Sequence, residues 1–221
     1  ATKYKPEYTW NYEIGSHLTL WEGRLLADLS AFYMDTRNQQ IAKFAENGLG
    51  RITVNAGKSH SYGAEASLRA ALTTAFTVNA SYGYTYATFK EYATNVKVDG
   101  ETKEISYNGN YVPFVPKHTL SLGGQYIFRI NPGHWLDRIQ VNANYTGAGR
   151  IYWTEQNDVS QSFYGILNGR LSLQKGNGQI DFWVRNALDK DYAAFYFESM
   201  GNGFMQKGRP IQAGIELRCR F

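Results

Sequence analysis

The last stretch of the chain, Pro210–Phe221, reads Pro-Ile-Gln-Ala-Gly-Ile-Glu-Leu-Arg-Cys-Arg-Phe. From Ile211 onward every odd position is apolar, and every even position is polar or glycine. This unbroken period of two predicts a β-strand with one apolar and one polar face. A soluble sandwich would seldom place Glu216, Arg218 and Arg220 in a row on one face and end on an aromatic residue. In a membrane barrel the apolar face lies in lipid and the charges face a watery lumen, so the stretch favours such a barrel.

The composition agrees with a membrane barrel. Hydrophobic residues make up 43% of the chain and the mean hydropathy is −0.45. No run of about 18 apolar residues is present, which argues against a membrane-spanning helix. The chain has 17 Tyr, 12 Phe and 5 Trp, a content typical of proteins whose aromatic rings lie at a membrane–water interface.

Several function classes find no support in the sequence. The 23 Lys and Arg residues are scattered, which argues against nucleic-acid binding. Cys219 has no partner for an intramolecular disulfide. The four His residues are dispersed, so we expect no metal site and no other cofactor. We find no catalytic Ser/His/Asp order, nucleotide-binding loop or supported carboxylate pair, and we expect that the protein is not an enzyme.

The same alternation recurs along the chain and predicts an all-β protein with nine strands. The connection at Glu91–Tyr111 is polar and long, and is predicted to be an exposed loop. The predicted strands cover 8–20, 25 to about 45, 51–70, 76–89, 119–128, 139–146, 163–174, 179 to about 197, and 211–221.

The predicted connections alternate between short and long. Short turns are expected near Glu22, Thr73, Pro132 and Asn177, and longer loops in between. One rim of short turns and one of long loops is typical of outer-membrane barrels, which have periplasmic turns and extracellular loops. On this assignment the C-terminus lies on the periplasmic side.

An odd number of strands indicates an incomplete barrel. Bacterial single-chain barrels have even strand numbers, and an open sheet leaves unpaired edges in lipid. We therefore expect that other strands complete the barrel. The sequence shows neither a Met start nor a signal peptide, so we also expect that Ala1 begins a processed or truncated chain.

Six motifs, in order along nearly the whole chain, resemble the barrel domain of TonB-dependent outer-membrane receptors. They are similar to that family's "KPE…NYEIG", "FY.D..NQ", "N.G….G.E", "VP..P.HTL" and "NLFDK.Y" segments and to the opening of its final strand. In this chain they are Lys5–Tyr8 with Asn11–Gly15, Leu29–Asp35 with Asn38–Gln39, Asn55–Gly57 with Tyr62–Glu65, Val112–Leu120, Arg185–Tyr192 and Gly208–Pro210.

The resemblance implies that residues 1–221 are the C-terminal part of a transmembrane, antiparallel, up-and-down β-barrel of about 22 strands in the bacterial outer membrane. Such receptors bind a scarce extracellular ligand, namely a siderophore, haem, cobalamin or an oligosaccharide, and import it to the periplasm. The expected partners are outer-membrane lipid, the rest of the barrel, a plug domain, and the inner-membrane TonB complex. The plug, the TonB-contacting segment and the N-terminal barrel strands are not in this sequence.

Candidate site residues fall into three sets. Aromatic residues near the long-loop rim are candidates for ligand binding, although an interfacial girdle explains them more simply; they are Tyr152, Trp153, Phe195, Tyr196 and Phe197. Polar residues are predicted to face the lumen, where pairing that stiffens the wall is favoured over a ligand path; they are Glu13, Asp28, Glu65, Arg69, Asp181, Arg185, Glu216, Arg218 and Arg220. The terminal Phe221 resembles the signal read by the barrel-assembly machinery.

A second interpretation stays open from the sequence. The chain could be a small self-contained outer-membrane barrel or adhesin of eight or ten strands, with side chains filling its interior. Its role would then be structural or binding rather than transport. A compact, protease-resistant species after refolding in detergent would favour this alternative.

Overall fold

The computed structural model describes residues 4–44, 51–55, 57–98, 101–199 and 201–220. Within these ranges, no helix is long and apolar enough to cross a membrane. The regular elements are strands, in chain order β1 Tyr8–Leu20, β2 Leu25–Arg37, β3 Gln40–Phe44, β4 Arg51–Asn55, β5 Lys58–Ala71, β6 Phe76–Glu91, β7 Ala93–Val98, β8 Glu101–Ser106, β9 His118–Arg129, β10 Arg138–Ala148, β11 Ile151–Tyr152, β12 Ser160–Gln161, β13 Tyr164–Lys175, β14 Gly178–Arg185, β15 Ala193–Ser199, β16 Asn202–Lys207 and β17 Gln212–Cys219.

Nine of these strands form one antiparallel sheet in the order β1-β2-β5-β6-β9-β10-β13-β14-β17. Each strand pairs with the sheet strand that precedes it and the one that follows it, which is the up-and-down arrangement. The predicted nine antiparallel strands and the all-β fold class are thereby confirmed. The sheet is a section of a barrel wall.

The register gives the sheet two different faces. Residues directly opposite each other in adjacent strands point to the same side, so the face can be followed from β1 to β17. One side, which we call the apolar face, carries large side chains that are exposed although they are hydrophobic. They include Tyr12, Ile14, Leu29, Tyr62, Leu68, Tyr82, Leu122, Tyr126, Val141, Leu171, Ile180, Phe182, Ile215 and Leu217. Such a continuous exposed band is typical of a sheet that contacts lipid.

The connections differ between the two ends of the sheet. Strand β1 joins β2, β5 joins β6, β9 joins β10 and β13 joins β14 at one end, the short-turn rim. At the other end, the long-loop rim, each connection contains its own two-stranded hairpin, formed by β3-β4, β7-β8, β11-β12 and β15-β16. The backbone N–H of Arg220 bonds to the carbonyl of Asn177, so the C-terminal strand ends at the short-turn rim. The predicted alternation is therefore confirmed.

Three strands of the sheet are shorter than predicted. The segment predicted at 51–70 enters the sheet only at Lys58, because Arg51–Asn55 pairs with β3 in a separate hairpin. The segment from Leu25 does not continue to residue 45, because Asn38 adopts φ 53° and its N–H bonds to Gly57 instead of continuing the ladder. The segment predicted at 179–197 ends at Arg185, where Asn186 and Asp189 adopt φ 49° and 45°. Asparagine and aspartate tolerate this left-handed conformation better than other residues with side chains, which explains where the strands stop.

The Glu91–Tyr111 connection is more ordered than the exposed loop predicted from sequence. It forms the β7-β8 hairpin. It also buries Tyr92 and Tyr107 against Phe89, with ring centroids 4.9 Å apart for Phe89–Tyr92 and 5.3 Å for Tyr92–Tyr107. A small aromatic core therefore supports this loop.

The sheet has two open edges within the described residues. Strand β1 pairs only with β2, and β17 pairs only with β14. All of β1 is exposed. Unpaired backbone groups in lipid cost several kcal/mol each, so these edges need partner strands in a membrane.

Candidate functional site

A cavity at the long-loop rim is lined by residues from all four long connections. Its volume is about 520 Å³. We call it the cap cavity, and the four connections together the loop cap. The lining residues are Gln39, Gln40 and Ile41 from the first connection, Val112, Pro113 and Phe114 from the second, Trp153, Thr154, Glu155 and Gln156 from the third, and Phe195, Phe197 and Glu198 from the fourth.

Phe114 organises the aromatic part of the cap cavity. Its ring packs edge-on against Trp153 at 5.5 Å and stacks on Phe195 at 5.6 Å. The backbone of Phe114 is held at φ 66°, and its N–H donates to the carbonyl of Tyr152 at 2.9 Å. A positive φ is unfavourable for an aromatic residue and tends to occur at functional positions. Phe114 nevertheless remains 50% exposed, so its ring is accessible to a ligand.

Hydrogen bonds hold the second and third connections together. The Asn157 side chain accepts from the N–H of Tyr111 at 2.6 Å and donates to its carbonyl at 2.9 Å. Asn110 donates to the carbonyl of Glu155 at 2.8 Å, and Gln156 donates to the Tyr107 hydroxyl at 3.1 Å. The two loops therefore form one unit around the cavity.

The described lining of the cap cavity is acidic. Glu155 and Glu198 line the cavity, and no Lys or Arg is among the lining residues that the structure describes. Burial raises the pKa of Tyr107, and the carboxylates of Glu155 and Asp158 raise it further. Burial and a hydrogen bond to Glu198 raise the pKa of Tyr196. The carboxylates thus create a negative potential that disfavours anions.

The five predicted rim aromatics separate into two groups. Trp153, Phe195 and Phe197 line the cap cavity, but Trp153 is only 7% exposed because it also packs with Ile151 and Ala193. Tyr196 packs against the same small core. Tyr152 lies elsewhere and stacks on Tyr111 at 5.2 Å. Sequence reasoning did not select Phe114, although its neighbours Pro113 and Pro116 marked the segment.

The side of the sheet opposite the apolar face, the polar face, carries the predicted lumen residues. The register places on it the eight of these residues that lie within strands: Glu13, Asp28, Glu65, Arg69, Asp181, Arg185, Glu216 and Arg218. Arg220 follows β17. Glu13, Asp28 and Glu65 also line one depression of about 400 Å³, together with His17, whose Nδ1 lies 2.5 Å from Asp28. That the polar face borders a lumen stays a prediction.

An ion network links β13, β14 and β17 on the polar face. Asp181 is 0% exposed and lies 3.2 Å from Arg170 and 3.6 Å from Arg218. Arg170 also contacts Glu216 at 3.1 Å, and Gln179 donates to Asp181 at 2.8 Å. Sequence reasoning missed Arg170. Arg185 is not part of this network, and its guanidinium lies over the Trp183 ring at 5.1 Å.

Two other predictions from the sequence concern the terminal Phe221 and the absence of a metal site. Phe221, the proposed assembly signal, lies outside the described residues. Among the residues that are described, no group of three or more His, Cys, Asp or Glu is placed to hold a metal ion.

Comparisons of the sequence and of the structure with known proteins point to the same family. The ferrichrome outer membrane transporter/phage receptor of Escherichia coli K12 is 27% identical over 203 residues, covering 90% of this chain and 25% of that protein. The pesticin receptor of Yersinia pestis is 26% identical, covering 100% of this chain and 30% of the receptor. A metal-pseudopaline receptor of Pseudomonas aeruginosa is 30% identical, covering 99% and 28%. The chain thus spans less than a third of the length of these relatives.

Solved structures share the fold. The ferric yersiniabactin uptake receptor of Yersinia pestis has a TM-score of 0.78 at 21% identity, covering 97% of this chain and 30% of that one. The siderophore receptor PiuA of Acinetobacter baumannii has a TM-score of 0.76 at 19% identity, covering 96% and 28%. The family described as TonB dependent receptor-like, beta-barrel, matches residues 1–187. The chain therefore belongs to the family of TonB-dependent receptor β-barrels of the outer membrane.

Proposed function

We propose that this chain is the C-terminal barrel segment of a receptor that binds a scarce extracellular ligand at the loop cap and imports it to the periplasm. The cap cavity carries this proposal, because aromatic and polar side chains from four separate loops converge there. The names of the relatives support it, since they describe receptors and transporters. The proposal contains no catalytic step.

The polar face of the sheet would border the lumen and contact the plug domain. Its charges, including the Arg170–Asp181–Glu216 network, lie opposite the apolar face, which supports this assignment. The apolar face would contact outer-membrane lipid, and strands outside this sequence would pair with β1 and β17. Energy from the inner-membrane TonB complex would act through the plug. The two open edges support a larger barrel over a self-contained one.

We further propose that the ligand is an iron chelate of the siderophore class that is neutral or cationic. The relatives include receptors named for ferrichrome and ferric yersiniabactin. The carboxylates of Glu155 and Glu198 beside the aromatic rings favour hydrogen-bond donors and positive charge over anionic groups.

Uptake of radioactive iron by an iron-limited deletion strain tests this proposal. Cells that make the intact protein receive iron as neutral ferrichrome or as anionic ferric citrate. We expect uptake of ferrichrome and little uptake of ferric citrate.

Phe114→Gly removes the central ring without imposing strain at positive φ, and should weaken the apparent affinity about tenfold, as for loss of an aromatic binding residue. Trp135→Ala, an exposed aromatic at the short-turn rim, is the matched control and should leave uptake unchanged.

Equal uptake in wild type and the Phe114→Gly variant would contradict a ligand site in the cap cavity. Preferential uptake of ferric citrate would contradict the proposed charge of the ligand. Heat-modifiable gel mobility of each variant shows whether the barrel is folded.

A further inference from the structure

The two carboxylates of the cap cavity have no cationic partner. In the part of the chain that the structure describes, neither Glu155 nor Glu198 forms an ion pair. Glu198 accepts a hydrogen bond from the Tyr196 hydroxyl at 3.0 Å, but that partner is neutral. Burial raises the pKa of Tyr92, and the Glu155 carboxylate raises it further. The negative charge of the cavity is therefore left for a ligand to balance.

Gln39 adds a third acceptor to the cap cavity. Its side chain lines the cavity, and its Oε1 is buried without a hydrogen-bond partner among the described groups. A buried polar atom without a partner is rare in folded proteins and calls for an explanation such as a bound group. The Gln39 oxygen therefore favours a ligand that donates a hydrogen bond.

Two lining side chains that carry donor groups already use them within the protein. The Thr154 hydroxyl donates to Asp158 at 2.5 Å, and the Gln156 amide donates to the Tyr107 hydroxyl at 3.1 Å. The acceptors of Glu155, Glu198 and Gln39 have no such internal cation or donor to satisfy them fully. The cavity therefore suits a ligand group that donates hydrogen bonds and accepts none.

The aromatic wall of the cavity indicates which donor group fits. A cation held against aromatic rings gains a cation–π interaction. The Phe114 ring stays half exposed where it meets Trp153 and Phe195, so a cation can reach it. A primary ammonium has three donors and no acceptor, which matches two carboxylates and one amide oxygen, whereas a guanidinium brings five donors. The alkyl chain that carries an ammonium also packs well on such rings.

We propose that the cap cavity binds a primary ammonium group carried by the iron chelate. Glu155, Glu198 and the Oε1 of Gln39 accept its hydrogen bonds, and the Phe114 ring covers the alkyl chain beside it. The inference rests on the proposed function and adds the group by which the receptor selects among chelates with the same iron centre. A chelate whose ammonium is acylated leaves the carboxylates unpaired and binds less tightly.

Uptake of radioactive iron from two matched chelates tests the ammonium site. Ferrioxamine B is an iron trihydroxamate that ends in a primary ammonium, and N-acetylation converts this ammonium to a neutral amide on the same iron centre. Cells of the iron-limited deletion strain that make the intact protein receive either chelate, and ferrichrome in parallel. We expect an apparent affinity about tenfold higher for ferrioxamine B than for its acetyl derivative, as for hydrogen bonds that involve a charged group.

Substitution of the carboxylates tests the residues that would hold the ammonium. Glu155→Gln and Glu198→Gln should each reduce the tenfold preference to about twofold, because each removes a charge-assisted hydrogen bond. Glu104→Gln is the matched control, since Glu104 is an exposed carboxylate on the same rim in β8, does not line the cavity and changes the net charge equally. It should keep the full preference. Heat-modifiable gel mobility shows that each variant is folded.

The ferrichrome measurement separates failure of the ammonium site from failure of the proposed function. Ferrichrome uptake combined with equal affinity for the two trihydroxamates, or with no uptake of ferrioxamine B, would overturn the ammonium site alone. An unchanged preference in the folded Glu155→Gln and Glu198→Gln variants would also overturn it. Equal loss of preference in Glu104→Gln would do the same, since selection would then follow overall charge. No uptake of any of the three chelates would contradict the proposed function, and the ammonium site with it.

Discussion

Gly63 in β5 is a position where the sheet has no space for a side chain. A Cβ there would collide with the carbonyl oxygen of Tyr84 and would contact the Phe32 ring at 2.7 Å. The Tyr84 oxygen belongs to the backbone of the neighbouring strand and cannot rotate away. We therefore expect Gly63→Ala to destabilise the sheet by about 1–3 kcal/mol, as overpacking does elsewhere.

Gly124→Ala is the control for this prediction. A Cβ at Gly124 would meet only the Phe76 ring, at an ordinary 3.8 Å. Alanine in a strand interior is favoured over glycine by about 0.5–1 kcal/mol, so this variant should be neutral or slightly more stable. The temperature at which heat-modifiable gel mobility is lost measures both effects. A Gly63→Ala protein as stable as wild type would show that β5 and β6 are further apart than described.

Residue roles could be predicted from sequence where they depend on alternation alone. The side of Glu65, Asp181 or Glu216 follows from counting by two along one strand. Arg170 was missed because its role depends on which residues lie opposite it in β14, and that requires the register between strands. Phe114 was missed for a similar reason. Its contacts are with Tyr152, Trp153 and Phe195, which are distant in sequence.

Substitutions in strand β10 can test which face of the sheet contacts lipid. Val141 and Asn144 both lie in the middle part of the strand but on opposite faces, with Val141 opposite Tyr126 and Leu171, and Asn144 opposite Gly123 and Asn168. We expect Val141→Arg to cost about 2–4 kcal/mol, because it places a charge in lipid near the bilayer midplane. Asn144→Arg should cost much less, because it faces the polar side.

Folding yields of the two β10 variants in lipid vesicles, measured against urea concentration, give the difference in the free energy of unfolding. Similar costs for both substitutions would contradict the assignment of the two faces. The reverse order would place the lipid on the polar side of the sheet.

The strands themselves were predictable because the alternation of apolar and polar residues recurs in each of them. The strand ends were less predictable, since apolar residues continue beyond Asn38 and Asn186 and obscure the break. Both asparagines adopt a left-handed conformation, and the side chain of Asn186 bonds to the backbone of Lys190 and Arg209. The bond to Arg209 joins residues that are 23 apart in sequence, so the alternation alone does not show it, and the sequence pattern of β14 and β15 resembles one long strand.

The whole molecule consists of a regular wall and a loop cap with its own small cores. Phe89, Tyr92 and Tyr107 form one core, and Ile151, Trp153 and Ala193 form another. Phe89 belongs to β6, but the other residues of these cores lie in the loop cap, so we expect the loop cap to loosen without unfolding of the wall. The bonds made by Asn157 are the best place to test this independence.

We expect Asn157→Gly to loosen the loop cap while the wall stays intact. Glycine keeps the φ of 61° but removes the bond from the Tyr111 N–H and the bonds to the carbonyls of Tyr111 and Thr154. Each such bond contributes about 1 kcal/mol, so loop cleavage by added protease on intact cells should rise at least tenfold. Asn157→Asp keeps the acceptor for Tyr111 and should give an intermediate rate. The melting temperature of the barrel in detergent should stay within about 2 °C of wild type, because a loop opening separately from the wall leaves its cooperative unit unchanged. A barrel that melts markedly earlier, with cleavage sites spread into the sheet strands, would instead show that cap and wall unfold together.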